Sequence, residues 1–115
     1  MPAAEHRQWL LDQTAPAAEP QTEAARLGRS LFRAAGCGAC HTIRGTGASG
    51  TIGPDLTHVG SRLSLAGATL PNGKASLVRW IRDNQHIKPE NLMLPYRNFT
   101  DAELDAVATY LDGLK

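Results

Sequence analysis

Cysteine is almost absent from this 115-residue chain: there are two, Cys37 and Cys40, and both lie in one pentapeptide. With no second cysteine pair there is no disulfide framework to read, and bridging residues so close in sequence would close too small a loop to staple a fold. Aromatic residues are scarce as well, at 5% of the chain, so the side chains alone supply only a modest core. No apolar run is long enough to span a bilayer, and no basic stretch followed by an apolar one opens the chain. The formal net charge is +1, which gives no argument for nucleic acid or for strong attraction to an acidic membrane surface.

What is present is concentrated in Cys37-Gly38-Ala39-Cys40-His41. Cys-x-x-Cys-His is the attachment pattern of a c-type haem. Two thiols spaced by about one helical turn can each add across a porphyrin vinyl group, and the next residue offers an imidazole to the iron. Three other readings compete. A zinc site lacks a second Cys or His pair, because His6, His58 and His86 are scattered. A redox dithiol needs a strand–helix context that the flanking sequence lacks, and a structural disulfide is a poor staple here. The motif therefore predicts one covalent haem c, with His41 as proximal ligand and a partner for its other ring nitrogen. A porphyrin would also provide the broad apolar surface that the side chains do not.

The remainder reads as helical. Residues 5–13, with Trp9, Leu10 and Leu11, suggest a short helix, and 14–21 form an Ala/Pro-rich linker. A second helix is capped by Thr22, carries Ala24, Leu27, Leu31 and Ala35 at helical spacing, and stops at Gly36. Residues 45–53 are too glycine-rich for a regular element. A third helix covers 74–85, and the Ile87-Lys88-Pro89 segment ends it. The last helix opens on the capping box Thr100-x-x-Glu103 and carries Leu104, Val107, Ala108, Leu111 and Leu114. No β alternation of useful length occurs. The chain thus divides into 1–24, a helix and an Ala/Pro linker, and 25–115, the remaining helical domain.

Apart from Met1, Met93 is the only methionine, and it lies in an irregular stretch between two helices. Its thioether suits the sixth iron position, the alternative being flexible core filling. His58 and His86 are rival ligands, otherwise read as a loop histidine and a helix-end histidine facing the local dipole. Pro54 offers a carbonyl acceptor. Arg62 and Trp80 offer N–H donors suited to haem propionates, against the plainer roles of a solvated arginine and a core tryptophan. Around the motif, residues 37–74 hold Arg44, Arg62 and Lys74 against Asp55 alone, whereas 101–112 carry Asp101, Glu103, Asp105 and Asp112 and no base. This is a basic haem-side segment or an ordinary solvated surface.

These residues resemble a family. Cys37-x-x-Cys40-His41-Thr42-Ile43-Arg44-Gly45-Thr46, Gly53-Pro54-Asp55-Leu56-Thr57-His58-Val59-Gly60-Ser61-Arg62, Gly67-x-Thr69-Leu70-Pro71-Asn72 and Trp80-Ile81 with Ile87-Lys88-Pro89 are similar to class I cytochromes c. Within that family they resemble the cytochrome c domain at the C-terminus of subunit II of caa-type cytochrome c oxidases. The match runs from about Ala25 to Lys115. The resemblance implies an all-α class I cytochrome c fold around one haem. It further implies thioether bonds at Cys37 and Cys40, His41 and Met93 as axial ligands, the Pro54 carbonyl accepting from His41, and a helix crossing of Gly28 and Phe32 on Tyr110 and Leu111. Two departures stand out: Met93 is followed by Leu94-Pro95 where many relatives place proline directly, and Glu90 stands where relatives often have glycine. The implied function is one-electron transfer from a donor cytochrome or bc-type complex to the copper centre of a terminal oxidase. It takes place outside the cytoplasm, in a mature fragment or excised domain that is monomeric in isolation and no enzyme on its own. A free carrier, a dehydrogenase-linked module, or a haem enzyme or gas sensor with an open distal site are the alternatives.

Overall fold

The computed structural model describes residues 2–67 and 69–115, so Met1 and Ala68 lie outside the described residues. Among the described residues there are four α-helices: α1 (Ala3–Thr14), α2 (Glu23–Ala34), α3 (Lys74–Ile87) and α4 (Asp101–Asp112). Two strands of two residues each, β1 (Ser64–Leu65) and β2 (Leu70–Pro71), pair antiparallel with Leu65 opposite Leu70. They are too short to leave an alternating pattern in the sequence.

The helix ends follow from local chemistry. Thr22 accepts from the Ala25 N–H at 3.1 Å to start α2, and Gly36, in the left-handed conformation at φ 79°, lets the chain turn out of it. At α4 both halves of the capping box form: Glu103 N–H donates to Thr100 Oγ1 at 3.1 Å and Thr100 N–H to Glu103 Oε1 at 2.9 Å.

Packing is organised by α2 against α4. A side chain at Gly28 would overlap the Ala106 carbonyl, so only glycine permits the two backbones to approach this closely. One turn on, Phe32 meets Tyr110 edge to face, with ring centroids 6.1 Å apart at 68°. The crossing is the one that the resemblance implies at Gly28 and Phe32, while the periodic stripe is corrected at Ala24 and Leu27 and keeps Leu31, which packs against the core. The buried stripe is Ala25, Gly28 and Phe32, while Ala24 is exposed and Leu27 is 51% exposed, because closeness at Gly28 sets the helix rotation. On α4 the expected residues are the buried ones: Leu104, Val107, Ala108 and Leu111, with Leu114 following the helix end. Each large apolar side chain so buried contributes about 1.5–3 kcal/mol. Helix α3 lies on α4 through Leu77 and Ile81, with ion pairs Lys74–Asp105 at 2.9 Å and Arg82–Asp101 at 2.6 Å on the outside. It runs two residues beyond the expected end and kinks at Asp83.

Helix α1 buries no residue. Trp9, Leu10 and Leu11 are about half exposed or more, so its position is set by contacts at its C-terminal end. No helix among the described residues is long and apolar enough to cross a membrane.

Candidate haem site

Past Gly36 the chain forms a 3-10 turn over Cys37–Ala39. The Cys37 carbonyl accepts from both Cys40 N–H at 3.2 Å and His41 N–H at 3.1 Å, which closes the Cys-x-x-Cys-His segment into one turn. The 50–56 segment runs alongside it, with Gly50 N–H on the Gly38 carbonyl at 3.0 Å, Gly53 N–H on Cys40 at 2.7 Å and Leu56 N–H on Thr42 at 2.8 Å. Cys37 and Cys40 are free thiols. Burial pushes the Cys37 thiol up to about 11, further raised by Cys40 and opposed by a backbone hydrogen bond. A thiol held protonated is a poor redox nucleophile. No group of three His, Cys, Asp or Glu suited to a metal occurs among the described residues.

His41 is oriented by its neighbour in this bundle of loops. Its Nδ1 lies 2.8 Å from the Pro54 carbonyl oxygen. A carbonyl can only accept, so Nδ1 carries the proton and Nε2 keeps the lone pair of the neutral ring. Gly53 makes room for the imidazole: a Cβ there would come within 2.5 Å of His41 Cε1.

Met93 and Trp80 face each other. The Trp80 indole N–H donates to Met93 Sδ at 3.2 Å. The indole has one N–H, and the fold aims it at sulfur. A thioether has two lone pairs, so the second remains available. Arg62, exposed, donates to the main-chain carbonyl of Asp55.

The segment bearing Met93 is irregular but tightly bonded, through residues the sequence did not single out. Met93 N–H donates to Asn91 Oδ1 at 2.8 Å, and the Gln85 amide donates to the carbonyls of Asn91 at 2.9 Å and Met93 at 3.0 Å. Asn84, fully buried, donates to the Leu94 carbonyl at 3.3 Å and accepts from Asn91 at 3.2 Å. Three side-chain amides around a proline-terminated helix were the available signal. Glu90 takes φ 66°, the left-handed conformation that glycine adopts without cost. Tyr96, further along, lies near the thiols: burial first, then the charges of Cys37 and Cys40, raise its phenol.

The rival histidines are engaged elsewhere. His58 has Nδ1 2.8 Å from the Lys115 main-chain oxygen and Nε2 2.9 Å from the Ala15 carbonyl. His86 is in the last turn of α3, 79% exposed, with Nδ1 3.5 Å from Asp83.

This donor set fits a covalently held haem: two free thiols on one turn, an imidazole with a bare nitrogen, and a thioether with a spare lone pair. The Cytochrome c family profile matches residues 25–115. The chain is 35% identical over 96% of its length to cytochrome c oxidase subunit 2 of Alkalihalophilus pseudofirmus. It is 29% identical over its whole length to cytochrome c oxidase subunit 2 of Bacillus subtilis. It spans 32% and 33% of the length of those two relatives. Helices packed around a Cys-x-x-Cys-His turn, and a family match over most of the chain, lead to one conclusion: the protein belongs to the cytochrome c family, with the all-α class I fold and a covalent haem c as cofactor.

Proposed function

We propose that this domain is the electron entry point of a terminal oxidase, with Cys37 and Cys40 holding the haem, His41 as proximal ligand and Met93 as distal ligand. The observation that carries this reading is the hydrogen bond from His41 Nδ1–H to the Pro54 carbonyl, which leaves Nε2 as the ring's only free donor. The Trp80 N–H on Met93 Sδ supports the second ligand by fixing the orientation of the thioether. Bound haem supplies a one-electron ferric/ferrous couple.

The protein's part is to orient both ligands, exclude water and tune the potential. Thioether ligation and burial favour the ferrous form, which suits the donor side of an oxidase. With both axial positions filled by side chains of the fold, little needs to rearrange on electron transfer. The domain performs no catalysis alone. Arg62 lies within reach of the Pro54–Asp55 peptide and is the remaining candidate for a propionate. Ile52, beside Gly53, and Leu92 and Leu94, on either side of Met93, are exposed apolar side chains next to both ligands. They suit brief docking by a donor cytochrome or bc-type complex, where weak contacts allow rapid exchange. The electron then passes to the copper centre of the oxidase, with residues 1–24 connecting the two domains outside the cytoplasm.

The oxidised haem protein is expected to show the far-red methionine-to-iron charge-transfer band, and Met93→Ala to lose it. Ready binding of carbon monoxide by the reduced wild type would overturn six-coordination and point to a sensor or enzyme.

A further inference from the structure

Arg44 joins three segments of the chain. Its main-chain N–H donates to Thr57 Oγ1 at 2.9 Å and its main-chain carbonyl accepts from Ala17 N–H at 2.8 Å. Its guanidinium donates to the carbonyls of Gln13 at 2.6 Å and Thr14 at 3.2 Å. Its Nε, buried without a hydrogen-bond partner, lies 3.7 Å from Asp55 Oδ2. The connector, the stretch after His41 and the loop after Pro54 therefore meet on one side chain.

The loop after Pro54 is itself bonded on several sides. Thr57 is fully buried. Its hydroxyl donates to Asp55 Oδ1 at 2.5 Å, and its N–H to the same oxygen at 2.8 Å. Arg62 donates to the Asp55 carbonyl. The Pro54 carbonyl and the Asp55 N–H belong to one rigid peptide plane, so whatever holds Asp55 aims the acceptor of His41. On the connector side, Gln13 and Thr14 end α1, whose final carbonyls form the negative end of the helix dipole. The guanidinium caps that end from outside the helix.

We propose that Arg44 is a positioning residue for His41, and that the connector, through its carbonyls and the Ala17 N–H, is part of the support. The connector is thereby a fixed strap on the proximal side of the haem site. The proposal rests on His41 being the proximal ligand. An acceptor on the far N–H of a ligating imidazole makes the ring a stronger donor, which favours ferric iron. Loosening the Pro54–Asp55 plane weakens that bond and shifts the couple toward ferrous.

The test is a redox titration of the haem-loaded full chain. Arg44→Ala is expected to raise the reduced-to-oxidised ratio at fixed solution potential by about threefold. Arg44→Lys, which keeps charge but not the fork, should shift it less. Ala17→Pro removes the N–H donor to the Arg44 carbonyl and should shift the ratio the same way. Combining Ala17→Pro with Arg44→Ala should add nothing beyond Arg44→Ala, because both act through one network. Both variants should also be cut faster by protease within residues 15–21, while Trp9→Ala should leave the ratio unchanged. An unaltered ratio in Arg44→Ala, or an Ala17→Pro effect that is nil or fully additive, overturns the proposal. If Arg44→Ala fails to fold, Ala17→Pro alone decides between the outcomes. A wild type without a low-spin, histidine-ligated haem spectrum would instead overturn the reading of His41 itself.

Discussion

The two sides of the proposed haem site, with His41 and Met93 as its proposed ligands, are built by different means. On the proximal side, Cys37, Cys40 and His41 are adjacent in sequence, lie on one turn, and are flanked by a loop bonded to them main chain to main chain. On the distal side, Met93 sits in a segment with no regular structure, fixed by the side-chain amides of Asn84, Gln85 and Asn91. Main-chain pairing is dictated by chain path and is hard to remove by mutation. An amide network depends on a few side chains and opens when one is lost. The distal ligand is therefore expected to be the labile one, and the proximal ligand to persist until the fold is lost.

The strongest way to break this contrast is to damage the proximal side directly. Gly53→Ala places a Cβ 2.5 Å from His41 Cε1 and displaces the ring from Pro54. It is expected to cost about 3 kcal/mol and to reduce the yield of covalently bound haem, measured by thermal unfolding and by haem staining of the denatured chain. A normal yield with unchanged stability would mean that the ring is not confined there.

Asn84→Ala is the distal counterpart. It leaves the Leu94 carbonyl without its side-chain donor and removes one of the acceptors of the Asn91 amide, at about 1–3 kcal/mol. The far-red band should disappear at a denaturant concentration where helical circular dichroism is still intact. Simultaneous loss of both signals would erase the distinction between the two sides.

Acid should act on the proximal side first. Burial pushes the Asp55 carboxyl up, but the bonds from the Thr57 hydroxyl and N–H and the charges of Arg44 and Arg62 together hold it below the ordinary 3.8. A carboxyl lowered by folding stabilises the native state above its unfolded value and loses that contribution as pH falls through its folded value. Stability should thus fall below about pH 3.8, and Asp55→Asn should be less stable at neutral pH with a weaker acid dependence over that range. A pH profile unaffected by Asp55→Asn would remove Asp55 from the proximal support.

The smallest effect should come from Glu90→Gly, which relieves a positive φ in the distal segment. The N–H bond to Gln85 Oε1 is retained. The net gain should be about 0.5 kcal/mol, since glycine also costs entropy on folding. A raised urea midpoint with an unchanged slope would confirm it.

Much of this site is legible in the residues because it is local. The pentapeptide names the cofactor, and the Thr22 cap and the Thr100–Glu103 box place helix starts within a residue of where they fall. The apolar spacing of α4 reads directly because every position on one face meets the core. For α2 the same spacing misplaces Ala24 and Leu27, because a single close approach at Gly28 sets the rotation and glycine carries no hydrophobic signal; there the resemblance, and not the periodicity, marks the crossing. The partner of the Trp80 N–H was beyond sequence reasoning, since an indole donor is matched to an acceptor only once the 91–96 segment folds back over α3. Arg44 reads as one more surface base until its contacts with residues far along the chain are visible.

The sequence by itself determined the haem, the Cys-x-x-Cys-His turn and the helices that carry it, because each depends on groups a few residues apart. Only the tertiary structure decided that the Trp80 N–H meets Met93 Sδ, and that the stretch around residues 13–17 is fastened to Arg44. Those outcomes depend on hydrogen-bond partners brought together from distant parts of the chain, and spacing along a sequence carries no record of such meetings.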